Sequence, residues 1–344
     1  MKKFLVLVFC ILCLCGCKKK DANDVIKTFT KKVNNADSYS LTANMSIIGD
    51  EEKFNYQVDV SYLKDEYYKV SLYNKDNNHE QIIIKNDDGV YVITPELNRS
   101  YKFESSWPNN SSQAYLLNPL MRDINSDDTL KAFNEGKYNV LKVKVNYPNN
   151  SDLLYEKIYF DNNSMVKKVE VYDTNNIEKI KVTFNNIKYN VNYNKEDFEI
   201  DEYINNDNIN NENKENCEGT NCDKKTGNIL EDIIYPLYLP SNTYLTSSDK
   251  IGEEGNQRVI LTFSGDKNFT IVEESLYVPD KFEVSPVFGE PILLNDTIGV
   301  IDTNSIKWRK GNIDYYITSD NLTKSELVTL ASSMNLAKSV IGSK

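Results

Sequence analysis

One histidine, His79, stands in a chain of 344 residues. That scarcity leaves no comfortable way to build a Ser-His-Asp triad or a multi-histidine metal centre. His79 sits in Asn77-Asn78-His79-Glu80, at the edge of an expected hairpin. A solvated turn residue and a catalytic base are its two readings. Cysteine is confined as well: of six, four fall at or before Cys17, and only Cys217 and Cys222 follow. After residue 20 no apolar run approaches the roughly eighteen residues of a membrane-spanning helix. Positive charge is in deficit, with 40 Lys and Arg against 51 Asp and Glu, for a net charge of −11. Such a body is repelled by nucleic acid and by anionic lipid. The acids form no pair that stands out from a solvated face. No catalytic residue, metal or cofactor is therefore expected, and the chain reads as non-enzymatic.

What the sequence does hold begins at its start. Lys2 and Lys3 precede an apolar run from Phe4 to Leu14, which leads into Leu14-Cys15-Gly16-Cys17 and then Lys18, Lys19 and Lys20. This is the layout of an export signal, and its run is short for a bilayer span. The ending resembles the lipobox of bacterial lipoproteins, in which the cysteine after a small residue receives a diacylglycerol. Only Cys17 has such a residue, Gly16, before it. The alternative is an ordinary cleaved signal and free secretion. Two acyl chains on Cys17 give stable anchoring where one would be marginal. The expectation is a chain held on the extracytoplasmic side of the cell membrane through that anchor. The three lysines could add roughly 1 kcal/mol each against anionic lipid.

Length favours two domains beyond residues 1–17. The break falls at residues 201–228, a stretch with nine asparagines, several acids and almost nothing apolar. Such a composition cannot bury enough surface to offset its ordering entropy, so it reads as a linker. Outside the cytoplasm, Cys217 and Cys222 within it close a small disulfide loop in the simplest reading. Free thiols, a redox switch and a soft-metal pair are the alternatives, the last a poor zinc site with only two thiolates.

Residues 18–200 open with a helical stripe, Val25, Ile26, Phe29 and Val33, and then read as β almost throughout. Phe54, Tyr56, Val58, Val60 and Tyr62 alternate with polar residues over an unusual length. Leu141, Val143 and Val145, and again Ile180, Val182 and Phe184, repeat that alternation. Many long antiparallel strands with one polar face imply a curved sheet wrapped around its apolar face. The segment Trp107 to Leu120 leaves the pattern. Its Trp107-Pro108 ends an extended piece, and Ser111 or Ser112 can cap a short helix carrying Tyr115, Leu116, Leu117 and Leu120. A second helix is expected at Asp127 to Phe133. Such helices can lie as a lid across the concave face.

The run Val92-Ile93-Thr94-Pro95-Glu96-Leu97-Asn98-Arg99-Ser100-Tyr101-Lys102-Phe103, continuing through Ser106-Trp107-Pro108 and Gln113-Ala114-Tyr115-Leu116-Leu117, resembles the LolA/RseB-like lipoprotein-carrier superfamily. It is similar in particular to the Gram-positive YdcC-type branch associated with sporulation and germination. The resemblance implies an unclosed half-barrel of about eleven antiparallel strands with helices plugging its mouth. It also implies a cavity for an acyl chain, a lipoprotein or another hydrophobic ligand, and it brings no catalytic residue. Tyr56, Val58, Val60, Trp107, Tyr115, Leu116 and Leu117 are then candidate cavity or lid residues, with an ordinary packed core as the other reading.

Residues 229–344 restart as a smaller α+β domain. Strands are expected at Arg258 to Phe263, Phe269 to Val272, Ser275 to Val278, Ile298 to Ile301, Ile306 to Trp308 and Ile313 to Ile317. Thr323-Lys324-Ser325-Glu326 is a capping box opening a helix with Leu327, Leu330, Ala331 and Met334 on one face. The pattern from Trp308 to Ser333 resembles the small C-terminal domain of RseB-like regulators. The fold expected for the whole is mainly β with α: a LolA-like antiparallel half-barrel with a helical plug, followed by the smaller domain. Two functions follow. One is a lipoprotein that binds an acyl chain or lipoprotein in envelope homeostasis, sporulation or germination. The other is a regulator that senses envelope state and binds a membrane protein or hydrolase.

Overall fold

A computed structural model describes residues 21–49, 52–204, 230, 233–252 and 257–341. Cys17, Cys217 and Cys222 lie outside the described residues. The chain opens with α1 (Ala22–Asn34), whose Val25, Phe29 and Val33 are buried. Those three positions recur at helical spacing, so one flank of α1 packs inward while its lysines stay out.

Eleven strands follow: β1 (Ser38–Ile48), β2 (Lys53–Leu63), β3 (Tyr67–Asn74), β4 (His79–Asn86), β5 (Gly89–Thr94), β6 (Arg99–Phe103), β7 (Lys131–Glu135), β8 (Tyr138–Lys144), β9 (Leu153–Phe160), β10 (Val166–Asp173) and β11 (Glu178–Tyr189). All pair antiparallel in one large curved, open sheet, with β11 returning to lie against β1. The period-2 alternation of β2 is realised residue by residue: Phe54, Tyr56, Val58, Val60 and Tyr62 are buried and their neighbours are not. The helix α2 (Leu117–Ser126) interrupts the strand succession between β6 and β7 and lies with α1 on the concave face.

The sheet has a twelfth strand, and it comes from far along the chain. After α3 (Asp201–Ile204) and β12 (Thr243–Ile251), β13 (Arg258–Gly265) and β14 (Phe269–Ser275), the segment β15 (Glu283–Val287) pairs parallel to β6. Glu283 stands opposite Arg99 and Val287 opposite Phe103. The strands β16 (Glu290–Leu293), β17 (Ile298–Ile301), β18 (Ser305–Lys310) and β19 (Ile313–Thr318) then complete a second sheet with order β12-β13-β14-β19-β18-β17-β16. One face of it is covered by α4 (Lys324–Ile341), which places Leu327, Leu330, Ala331 and Met334 over Trp308 and Tyr315. Those two rings stack at 5.1 Å. The expected capping box is formed: Glu326 accepts the Thr323 N–H at 2.8 Å, and Thr323 Oγ1 accepts the Glu326 N–H at 3.3 Å.

Three local expectations are corrected. Asp127 to Phe133 is not a helix. The Asp127 carboxylate accepts the Thr129 N–H at 2.9 Å and the Lys144 N–H at 2.8 Å, which turns the chain at the end of α2 and sends it into edge strand β7. Neither Ser111 nor Ser112 caps α2, whose N-cap is Leu116. The Ser112 hydroxyl oxygen instead accepts the Asn146 N–H at 2.8 Å, tying the plug segment to the sheet's far side. The stretch from Ser275 to Val278 is not a strand of its own: β14 ends at Ser275, and the chain then runs on towards β15.

Candidate functional site

The concave face of the large sheet is filled from within the chain. Tyr39, Tyr62 and Tyr68 form a run of rings 4.7 and 4.9 Å apart, and Trp107 meets Tyr68 edge-on at 5.9 Å. Arg122 of α2 donates to the Ser111 carbonyl at 2.6 Å and the Pro108 carbonyl at 3.2 Å, holding the segment before the helix down. Tyr56, Val58, Val60, Trp107, Tyr115, Leu116 and Leu117 all belong to the same packed core, and each is at most 5% exposed. Tyr56 also reaches outward, its hydroxyl donating to the Asn295 carbonyl at 2.8 Å. His79 opens β4 and pairs through its ring with Glu96.

Two carboxyl groups lie inside this core. Glu156 of β9 is fully buried, with neither oxygen hydrogen-bonded, and Asp123 of α2 leaves one oxygen unpartnered. Burial pushes the Asp123 carboxyl up to about 6, against the opposing pull of the Ser112 hydroxyl and the Arg122 guanidinium. Burial also raises Glu156 well above the usual carboxylate range, and the neighbouring Asp123 charge adds to the shift. The Tyr147 hydroxyl is raised by burial and then by Glu156 and Asp123. The contact between α2 and the sheet therefore contains two acids that favour the neutral state. The sequence carried a signal for one of them: Glu156 occupies the same parity as Ile158 and Phe160 in β9. Asp123 carried none.

The junction between the sheets is a third feature. Gln81 of β4 accepts the Ile298 N–H at 2.5 Å and the Thr297 hydroxyl at 3.2 Å. Tyr101 lies 4.8 Å from the Arg309 guanidinium, which is itself bound to Asp314 at 2.6 and 3.1 Å. Burial opposes the charge of Asp314, but Arg309 and Lys307 hold its carboxyl below the usual range. Ile298 and Val300 of the second sheet reach into the core of the first. The strands carrying Ile298, Val300 and Asp314 were legible in the sequence, but none of these contacts was.

Two surfaces remain. A cleft of about 590 Å³ runs along the outer flank of α1, between Lys27, Lys31 and Lys32 on one side and Met165, Tyr189 and Asn190 on the other. On the second sheet, edge strand β12 exposes eight of its nine residues. Among the described residues no group of three His, Cys, Asp or Glu side chains could hold a metal ion, and no helix is long and apolar enough to cross a membrane.

A sequence profile of the sporulation protein YdcC-like family matches residues 1–198. The sporulation protein YdcC of Bacillus subtilis (strain 168) is 33% identical over 341 residues, 97% of either chain. The chain belongs to the sporulation protein YdcC-like family. The match to the Bacillus subtilis YdcC runs well past residue 198, so the similarity extends through the second sheet as well as the first. Among solved structures, a chain of the Pseudomonas aeruginosa MucA/MucB complex covers 92% of this YdcC-like chain and 97% of its own at 12% identity, with a TM-score of 0.32. A LolA superfamily protein from Nitrosomonas europaea covers 53% of this chain and 99% of its own at 10% identity and a TM-score of 0.32.

Proposed function

We propose that this YdcC-like protein is a non-enzymatic lipoprotein, anchored through Cys17 on the extracytoplasmic side of the membrane, that grips an envelope protein during sporulation. One observation carries the reading. Of fifteen large hydrophobic side chains exposed among the described residues, seven fall between Tyr235 and Ile251. Scattered exposed apolar residues are ordinary, whereas a concentration of them marks an interaction surface. Here three of the seven lie in β12 and the other four in the segment just before it, and the outer edge of β12 offers unpaired backbone groups to an added strand. The partner's chemistry is an extended apolar segment of a membrane or envelope protein.

A photo-crosslinker at Leu237 or Tyr244, introduced in sporulating cells of the native host, should capture one dominant membrane protein. The same yield and spread from a crosslinker at Asn175, on the large sheet, would sink the reading. The anchor is tested separately by the mass of the peptide beginning at Cys17.

A second reading is favoured by the acid pair under α2. An acyl chain or lipoprotein would be held beneath that helix after it lifts from the sheet, because Asp123 and Glu156 weaken that contact once ionised. Native mass spectrometry of detergent-free protein should then release a lipid mass in organic solvent, more of it near pH 8 than near pH 5. No such mass at either pH would reject this second role.

A further inference from the structure

The lining of the cleft beside α1 is opposite in charge to the chain as a whole. The chain carries 51 acids against 40 bases, yet Lys27, Lys31 and Lys32 line this cleft and no carboxylate does. Lys32 is held at the base, donating to the Asn163 carbonyl at 3.0 Å and to the Met165 sulfur at 3.2 Å. Lys27 and Lys31 lie one helical turn apart on the exposed flank of α1, and neither ammonium group makes an ion pair or hydrogen bond with a described residue. Below them the floor is Ala36, Met165 and the ring of Tyr189. Burial raises the Tyr189 hydroxyl to about 12, so it stays a neutral donor. An apolar floor under a rim of unpaired ammonium groups suits the glycerophosphate end of an anionic lipid better than a free anion, which leaves the floor unused.

Position along the chain supplies the second argument. Only residues 18–21 separate Cys17 from the first residue of α1. At about 3.5 Å per residue, α1 begins within about 17 Å of an anchored Cys17. The lysines of the cleft follow within the next three turns of the helix. They are held near the bilayer, whatever the rest of the acidic body does.

We propose that this cleft docks the anionic phospholipid headgroups of the membrane that holds the anchor, so that the large sheet stands with the flank of α1 against the bilayer. The proposal rests on the reading of Cys17 as the anchor. It assigns α1 a second role besides closing the core: its inner face packs on the sheet and its lysine flank reads lipid charge. Electrostatic attraction acts here within a Debye length, where the net negative charge of the more distant body is screened.

The test uses the unlipidated chain from residue 18 onward, which keeps every described residue, and vesicles of phosphatidylcholine with or without phosphatidylglycerol. Cosedimentation is expected only with phosphatidylglycerol present, and it should fade at high salt. The K27E/K31E double variant changes two exposed residues and should bind about tenfold or more weakly. Replacing Lys18, Lys19 and Lys20 by Gln should leave a clear difference between that variant and the parent. Equal binding by K27E/K31E and parent in that background would overturn the proposal. So would release from the vesicles by millimolar inorganic phosphate, which would mark a free-anion site. Because the vesicle assay uses unlipidated protein, its outcome is independent of whether Cys17 is acylated in cells. An unmodified Cys17 with vesicle binding intact would remove the anchor while supporting the cleft, and the reverse would remove the cleft alone.

Discussion

The carboxamide of Gln81 closes a reciprocal pair with the backbone of Ile298, accepting its N–H at 2.5 Å and donating to its carbonyl at 3.4 Å. Gln81 is 4% exposed, and the pair spans 217 residues of sequence. Together with β15 on β6, it fastens the second sheet to the rim of the first.

Replacing Gln81 by Ala should cost about 1–3 kcal/mol, because the buried Ile298 N–H loses its acceptor. The two tryptophans report the two sheets separately, since Trp107 lies in the first core and Trp308 in the second. In W107F and W308F the urea transitions read by the remaining tryptophan should coincide. Adding Q81A should move the transition of the second sheet to lower urea ahead of the first. Coincident transitions in every variant would mean that the junction is held elsewhere.

The acid pair under α2 makes a pH prediction whose sign is set by the raised values. Asp123 ionises near 6 in the folded chain against an ordinary 3.8. The folded state therefore binds more protons than the unfolded chain between those values, and stability from this group falls as pH rises through them. It is undiminished below about pH 4 and fully lost above about pH 6, a change of up to about 3 kcal/mol. D123N should be more stable than the parent at pH 7 and no more stable at pH 4, as read by urea midpoints. E156Q should show the same direction. A D123N midpoint below the parent at pH 7 would show that the carboxylate has a partner there.

Arg309 and Asp314 form a buried pair that should behave in the opposite sense. R309M removes the two-pronged guanidinium partner of Asp314 and leaves the half-exposed Lys307, at 3.2 Å, as the cation beside it. The expected loss is about 3 kcal/mol, since an unpaired buried charge costs more than the pair contributes. The double variant R309M/D314L should recover much of that loss. Urea unfolding of the three variants gives the coupling, and additive losses would place the pair in effective contact with solvent.

The capping box of α4 is a smaller term. T323A should cost about 1 kcal/mol, and it should raise hydrogen exchange at residues 324–327 without affecting α2. Unchanged exchange there would mean that packing on Trp308 alone holds the helix start.

Local pattern determined much of this protein. The period-2 alternation at 54–62 and the helical stripe Val25, Phe29, Val33 depend only on the geometry of a strand and a helix, so they were readable before any contact was known. The capping box at Thr323 was legible for the same reason, its partners being three residues apart. Residues 127–133 misled because Asp127, whose carboxylate turns the chain, is answered by the Lys144 N–H seventeen positions on. What only the tertiary structure decided is whatever joins distant segments: β15 laid parallel on β6, Gln81 set against Ile298, and Asp123 brought with Glu156 beneath α2. Parallel pairing between residues 99–103 and 283–287 leaves no periodic trace, because neither segment's own alternation depends on its neighbour. The seven residues named as cavity or lid were legible as apolar. That they pack against one another follows from the closure of α1 and α2 over the sheet, a property of the whole fold.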